Sequence, residues 1–243
     1  MVSSTVVLLH GFGTSAPLWA DVQARLGRLS VALDLPGFGG NTAGHSAHDY
    51  TVDGMADHVA QQVQAAGLTR YTLAGHSMGG KVAAVLAARQ PVGLTGLLLL
   101  ASSPPSPEPM TERGRAELKA AWGDPERLRA LYAGIVRAPL PASSVLSLIE
   151  DGLRAEQAAW TAWPDHGSRE HHERQMARVA VPVRVLASRS DPVMTPQVMR
   201  ERVMPAFPGA ALRELDGPGH LLPLEAPKEV AGWLDDAARD LTG

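Results

Sequence analysis

Residues 71–84 read YTLAGHSMGGKVAA. An apolar run stops at Gly75, one serine stands between His76 and Met78, and two more glycines lead into alanines and valines. Residues 75–79 match G-x-S-x-G. The setting gives the match its weight: the pattern follows a predicted strand over 71–74 and precedes a predicted helix over 81–89. In such a strand–turn–helix the serine takes a strained backbone conformation. Glycines flank it because larger residues would collide with the neighbouring strand and helix. The turn therefore presents the Ser77 hydroxyl at the carboxyl end of a sheet.

The remaining sequence supplies that sheet. Continuous apolar runs recur at 5–9, 29–33, 71–74, 94–100, 181–187 and 211–215, as suits strands covered on both faces. Between them lie helical patterns at 16–26, 51–66, 81–89, 196–207 and 226–241. This alternation predicts an α/β fold with a doubly wound, mainly parallel sheet of about six strands. One stretch breaks it. After the proline-rich SSPPSPEPM at 102–110 come only helical segments, at 112–121, 125–136, 142–153 and 156–163. That is too long for a loop inside a compact domain. The expected organisation is a core of 1–103 and 181–243 with a helical cap inserted at 104–180.

Composition narrows the function. The chain has 243 residues, 45% hydrophobic content and a formal charge of −3, with both signs interspersed. No basic patch suggests a nucleic acid partner. With no cysteine, neither a disulfide frame nor a thiolate metal site is available, and the cytoplasm is the expected compartment. The opening MVSSTVVLLHGFG lacks a basic leader, and its apolar run is too short to span a bilayer, so no membrane partner is expected.

A serine is a weak nucleophile at neutral pH and needs a base and an orienting acid. For this turn the chain order is serine, acid, histidine. His220, in DGPGHLLPLEAP after the 211–215 strand, supplies the base, and Asp191, in LASRSDPVMTP after the 181–187 strand, supplies the acid. Glu108 is the first acid after the 94–100 strand, and Asp191 is the better placed. The backbone N–H groups of Met78 and of Phe12, in HGFGT, are the expected oxyanion donors. Phe12, Met78, Val193 and Leu221 adjoin these positions and are the expected substrate-binding wall. The cap residues Trp122, Trp160, Trp163, Leu128, Leu131, Tyr132, Ile135 and Val136 either form the cap's own core or face the substrate.

Asp34, in DLPGFG, reads as a turn residue, and His10 and His76 as orienting or packing residues. His45, His48, His166, His171 and His172 read as solvated; their H-x-x-H lies in a glycine-rich loop without a completing ligand set, so no metal is expected.

HGFG at 10–13, DLPGFG at 34–39, GHSMGG at 75–80, SRSDPV at 188–193 and GPGHLLPLEAP at 217–227 stand in the order in which the α/β-hydrolase superfamily carries them. The sequence resembles that superfamily along essentially its whole length. The resemblance implies acyl hydrolysis by Ser77, Asp191 and His220 without metal or organic cofactor, on a small or medium, mainly apolar ester. Within the superfamily, a carbon–carbon bond hydrolase of vinylogous diketones, a lactonase and a perhydrolase use the same motifs. A ligand receptor retaining the triad is the non-enzyme alternative. Superfamily members usually carry an antiparallel hairpin before the HG strand, whereas only a few residues precede it here. A trimmed sheet of six parallel strands is therefore expected, in the order second, first, third, fourth, fifth, sixth.

Overall fold

Val6, Val7, Leu8 and Leu9 of β1 (Thr5–Leu9) are all fully buried. Successive side chains of a strand point to opposite faces, so an unbroken buried run means that both faces are covered. The same holds for β3 (Tyr71–His76), buried at every position. In the computed structural model, which describes residues 4–240, these strands belong to a six-stranded sheet completed by β2 (Ser30–Leu33), β4 (Leu94–Leu100), β5 (Val183–Ser188) and β6 (Ala211–Leu215). All pairings are parallel, and the order β2-β1-β3-β4-β5-β6 is the expected one.

Three helices precede β4: α1 (Ala20–Gln23), α2 (Val52–Ala65) and α3 (Met78–Ala88). Between β4 and β5 lie α4 (Glu112–Ala120), α5 (Pro125–Ile135), α6 (Ala142–Arg154), α7 (Gln157–Asp165) and α8 (Glu173–Met176). After β5 come α9 (Pro196–Val198), α10 (Leu222–Glu225) and α11 (Pro227–Asp240). Several start where a side chain takes up free amides. The Thr51 hydroxyl accepts from Gly54 N–H at the head of α2, Thr111 from Gly114 at α4, and Asp124 from Glu126 and Arg127 at α5. No helix among the described residues is long and apolar enough to cross a membrane.

Some elements depart from the sequence pattern. The segment 16–26 divides into a 3-10 turn, Ala16–Trp19, and the four-residue α1, with Pro17 in the first turn and the Ala16 N–H held by Asp34 Oδ1 at 2.7 Å. The segment 196–207 divides into α9, a π-helical turn at Met199–Val203 and a 3-10 turn around Pro205. In contrast, α3 begins at Met78, three residues before the predicted start. Gly79 and Gly80 are poor helix formers, yet here they are the first turn of a helix packed closely on the sheet. Residue 241, the predicted end of the last helix, lies outside the described residues.

One buried cation joins the two ends of the helical segment that follows β4. Lys81, in α3, is fully buried, and its Nζ donates to the carbonyls of Ser106 (3.3 Å), Gly167 (3.2 Å) and Glu170 (2.8 Å). An ammonium has three protons, so its donor capacity is filled. Burial pushes Lys81 down to about 8, while Glu108, Glu170 and Glu173 oppose the shift. Replacement by methionine fills the space but leaves three carbonyls without that donor. Unsatisfied buried groups cost about 1–3 kcal/mol each, and relief from burying a charge offsets part of the loss. Lys81→Met is expected to lower stability by about 2–4 kcal/mol in urea unfolding at pH 7; an unchanged midpoint would show that the lysine does not hold the segment.

Candidate active site

The site starts from a turn that only close packing can sustain. Ser77 has φ 52° and ψ −119°, a conformation that side-chain-bearing residues rarely adopt. Its N–H donates to Leu100 O at 3.0 Å, and its carbonyl accepts from Gly80 (2.9 Å) and Ser103 (3.0 Å), so neighbours on both sides fix the peptide planes. Gly75 is required because a methyl group there would come within 2.2 Å of the Gly79 carbonyl. Gly11 brings the loop after β1 across the top of the turn: a methyl group on it would lie 2.8 Å from His76 Nδ1 and 3.1 Å from Ser77 Cβ.

His220 and Asp191 meet Ser77 from the carboxyl ends of β6 and β5. His220 Nε2 lies 2.9 Å from Ser77 Oγ, and His220 Nδ1 lies 2.8 Å from Asp191 Oδ2. With Nδ1–H donating to the carboxylate, Nε2 is left to accept the serine proton. Asp191 Oδ1 accepts the N–H groups of Val193 (2.7 Å) and Met194 (3.0 Å). Burial alone would raise the Asp191 carboxyl, but His220 and these two amides outweigh it and hold the group below the ordinary aspartate value. At His220 burial acts downward; the charge and hydrogen bond of Asp191 override it and raise the imidazole above its ordinary value.

Several supporting residues were not singled out for these roles in the sequence. Glu225 gathers the His220 loop: Oε2 accepts from Gly219 (2.7 Å), Arg137 (2.7 Å) and Ala138 (2.8 Å), and Oε1 from Leu221 (2.9 Å). Ile135, at the end of α5, accepts the His220 N–H at 2.9 Å. His76 Nε2–H donates to the His220 carbonyl at 2.8 Å; burial and the nearby His220 push its imidazole down to about 3, so it remains a neutral brace. Glu225 was legible only as an acid five residues past His220, and Ile135 bore no sequence signal, because it acts through its backbone.

The other expected positions divide in two. Phe12, Val193 and Leu221 line a cavity of about 700 Å³ together with Ser77 and His220. Met78 does not line it: as the first residue of α3 its side chain turns into the hydrophobic core and is fully buried, so only its backbone faces the serine turn. Its N–H belongs to the first turn of a helix, where amides lack intrahelical acceptors. From the segment between β4 and β5, Leu131, Tyr132, Ile135 and Trp163 line the cavity, whereas Leu128 and Trp160 are buried in packing and Trp122 donates its indole N–H to Ala155 O at 2.8 Å. Trp160 also packs against Phe12, with ring centroids 4.6 Å apart.

Asp34 acts as a turn residue, accepting from Ala16 and from Gly40 at 2.8 Å, and His10 is a packed brace that accepts the Leu35 N–H at 3.0 Å. His172 departs from the expected solvated group. It is buried, its N–H donates to Pro105 O at 2.9 Å and its Nε2 lies 2.8 Å from Glu170 Oε2, in the stretch whose Glu170 carbonyl Lys81 of α3 also holds. Asp53 joins these two in a cluster, but Asp53 pairs with Arg89 and Glu170 also accepts the Val52 N–H, so the groups serve each other.

The comparisons agree with this architecture. Monoacylglycerol lipase abhd6-A of Xenopus laevis is 24% identical over 256 residues, covering 96% of this chain and 74% of that protein. The pimeloyl-[acyl-carrier protein] methyl ester esterase of Sodalis glossinidius is 39% identical over 102 residues, 41% of this chain and 37% of that one. The crystal structure of a membrane phospholipase A, described as a bacterial virulence factor, superposes with a TM-score of 0.83 at 27% identity, covering 98% of this chain and 80% of that chain. The sequence model of the alpha/beta hydrolase fold matches residues 4–158. That match spans more than half of the chain and contains the serine turn, and on it the protein belongs to the alpha/beta hydrolase fold family, with esterases and lipases among its relatives.

Proposed function

We propose that this protein is a serine hydrolase that cleaves a small to medium, mainly apolar carboxylic ester through an acyl-enzyme. The observation that carries the reading is the hydrogen-bonded line from Ser77 through His220 to Asp191, at the wall of a largely apolar cavity. In this reading residues 104–180 are a cap over the core, and their side chains shape the substrate space. The esterase and lipase relatives support the same class of chemistry.

Ser77 Oγ attacks the ester carbonyl carbon as His220 Nε2 takes its proton. The negative charge that develops on the carbonyl oxygen is received by the N–H groups of Phe12 and Met78, each such donor contributing roughly 3 kcal/mol to the transition state. The carbon–oxygen bond to the alcohol then breaks, and the proton on His220 passes to the leaving alkoxide. A water molecule repeats the sequence on the acyl-enzyme, releasing the acid and restoring the serine. Asp191 holds the imidazole in the required tautomer and stabilises its charged form. No cofactor enters these steps. Arg127 is the one lysine or arginine among the described lining residues, and it is exposed and paired with Asp124, so a neutral ester suits the cavity better than a carboxylate-bearing dienoate.

Initial rates on p-nitrophenyl esters of increasing acyl length test the reading. The wild type is expected to turn over short or medium chains and Ser77→Ala none; equal rates for the two would exclude Ser77 as nucleophile. Asp191→Asn is expected to keep the fold and lose up to about 10⁴-fold in kcat through the wrong tautomer. A near-normal rate would assign the orienting role to another acid.

The pH dependence has a defined sign. Only neutral His220 accepts the serine proton, so kcat/KM falls as pH drops through the imidazole pKa. Because Asp191 raises that pKa against burial, the acid limb is expected above 6.5, the ordinary histidine value. A limb at or below that value in the wild type would contradict the coupling.

A further inference from the structure

One buried acid in the cavity has no part in the mechanism above. Glu108 follows β4 in the proline-rich stretch, is 7% exposed, and lines the cavity beside Met110. Its backbone is fixed, with its N–H on Ser168 O at 2.8 Å and its carbonyl accepting from Met110 at 2.7 Å. An ionised carboxylate in such a place normally has a bound cation, since an unpaired buried charge is costly.

Among the described residues none of the neighbouring cations hydrogen-bonds the Glu108 carboxyl, although the buried Arg115 Nε has no hydrogen-bond partner of its own. All three protons of Lys81 go to the Ser106, Gly167 and Glu170 carbonyls. Arg115 Nη1 donates to Pro164 O at 2.7 Å and to Ser168 Oγ, and the His220 nitrogens face Asp191 and Ser77. Burial raises the Glu108 carboxyl above the usual glutamate value, while the Ser103 side chain, Lys81, His220 and Arg115 draw it partly back. A carboxyl oxygen accepts a hydrogen bond in either protonation state. Around it the wall is mostly apolar, with Phe12, Leu131, Ile135 and Trp163.

We propose that Glu108 is the polar anchor of the substrate cavity, hydrogen-bonding a hydroxyl carried by the substrate near the ester, so that the preferred substrates are hydroxylated rather than plain alkyl esters. A hydroxyl can donate to a carboxyl oxygen whichever protonation state Glu108 holds. A substrate carboxylate would meet a second acid there. This inference rests on the ester-hydrolase reading and adds to it the class of ester.

Two matched substrate pairs test it. Methyl 3-hydroxyhexanoate against methyl hexanoate places the hydroxyl in the acyl half, and 2-hydroxyethyl hexanoate against propyl hexanoate places it in the alcohol half. The wild type is expected to favour the hydroxylated ester in kcat/KM by about 10-fold or more in at least one pair, since a site built to hydrogen-bond a group discriminates against its absence. Glu108→Leu is expected to bring that ratio to about 1, and Glu108→Gln, which keeps a donor and an acceptor, to retain most of it.

A wild-type ratio near 1 in both pairs overturns the proposal without any variant, so it remains falsifiable even if Glu108→Leu does not fold. Equal losses on both members of a pair in Glu108→Leu also overturn it, because they would place Glu108 behind His220 rather than against the substrate. Turnover of plain esters with no hydroxyl preference defeats this proposal alone. Absence of turnover on every ester defeats the ester-hydrolase reading and this proposal with it.

Discussion

The positive φ at Ser77 is the constraint on which the rest of the site depends. A residue with a side chain is held there at a cost of about 1–3 kcal/mol, and it persists only where the surroundings over-determine it. Here the surroundings are the centre of the sheet. β3 lies between β1 and β4, with Gly75 paired on both sides and His76 paired with Leu100, and α3 starts immediately after the turn and packs back against the strands. Parallel strands with both faces covered are rigid platforms, and their carboxyl ends are where open α/β sheets place their sites. The result is a hydroxyl whose position is set by backbone geometry, independent of any side-chain rotamer beyond Ser77 itself.

The partners of that hydroxyl arrive on loops, and hydrogen bonds replace secondary structure in fixing them. Asp191 is gripped by two amides, and the loop carrying His220 is held by Glu225, His76 and the Ile135 carbonyl. Ile135 belongs to the helical segment after β4, and the same segment reaches the first loop through the Tyr132 hydroxyl, which donates to Gly13 O at 2.6 Å. That segment thus holds both His220 and the loop after β1, and its side chains line part of the cavity.

Much of this was legible in the sequence, for physical reasons that can be named. The runs of the inner strands are continuous because parallel strands there are covered on both faces, whereas the edge strands β2 and β6 are only partly buried; the strand order came from the resemblance to the α/β-hydrolase superfamily. Ser77, Asp191 and His220 were legible because each occupies the end of a strand in a loop marked by glycine or proline. The missed features act through backbone or through three-dimensional packing. The Ile135 carbonyl has no residue signature. Met78 was expected in the wall because it adjoins Ser77, but a helix starting at that residue turns its side chain into the core. His172 was expected in solvent and is buried against Glu170, a tertiary pairing that the local sequence does not signal. The early start of α3 was hidden because glycine disfavours helix locally while tertiary packing demands it.

The central claim is that Ser77 is an activated nucleophile, and covalent trapping tests it most directly. Treating the protein with a fluorophosphonate and measuring the intact mass is expected to show one phosphonyl group added per chain, with loss of fluoride. Peptide mapping is expected to place it on the fragment containing Ser77, and Ser77→Ala is expected to remain unlabelled. No adduct on the wild type, or an adduct that maps to another residue and persists in Ser77→Ala, would contradict the account.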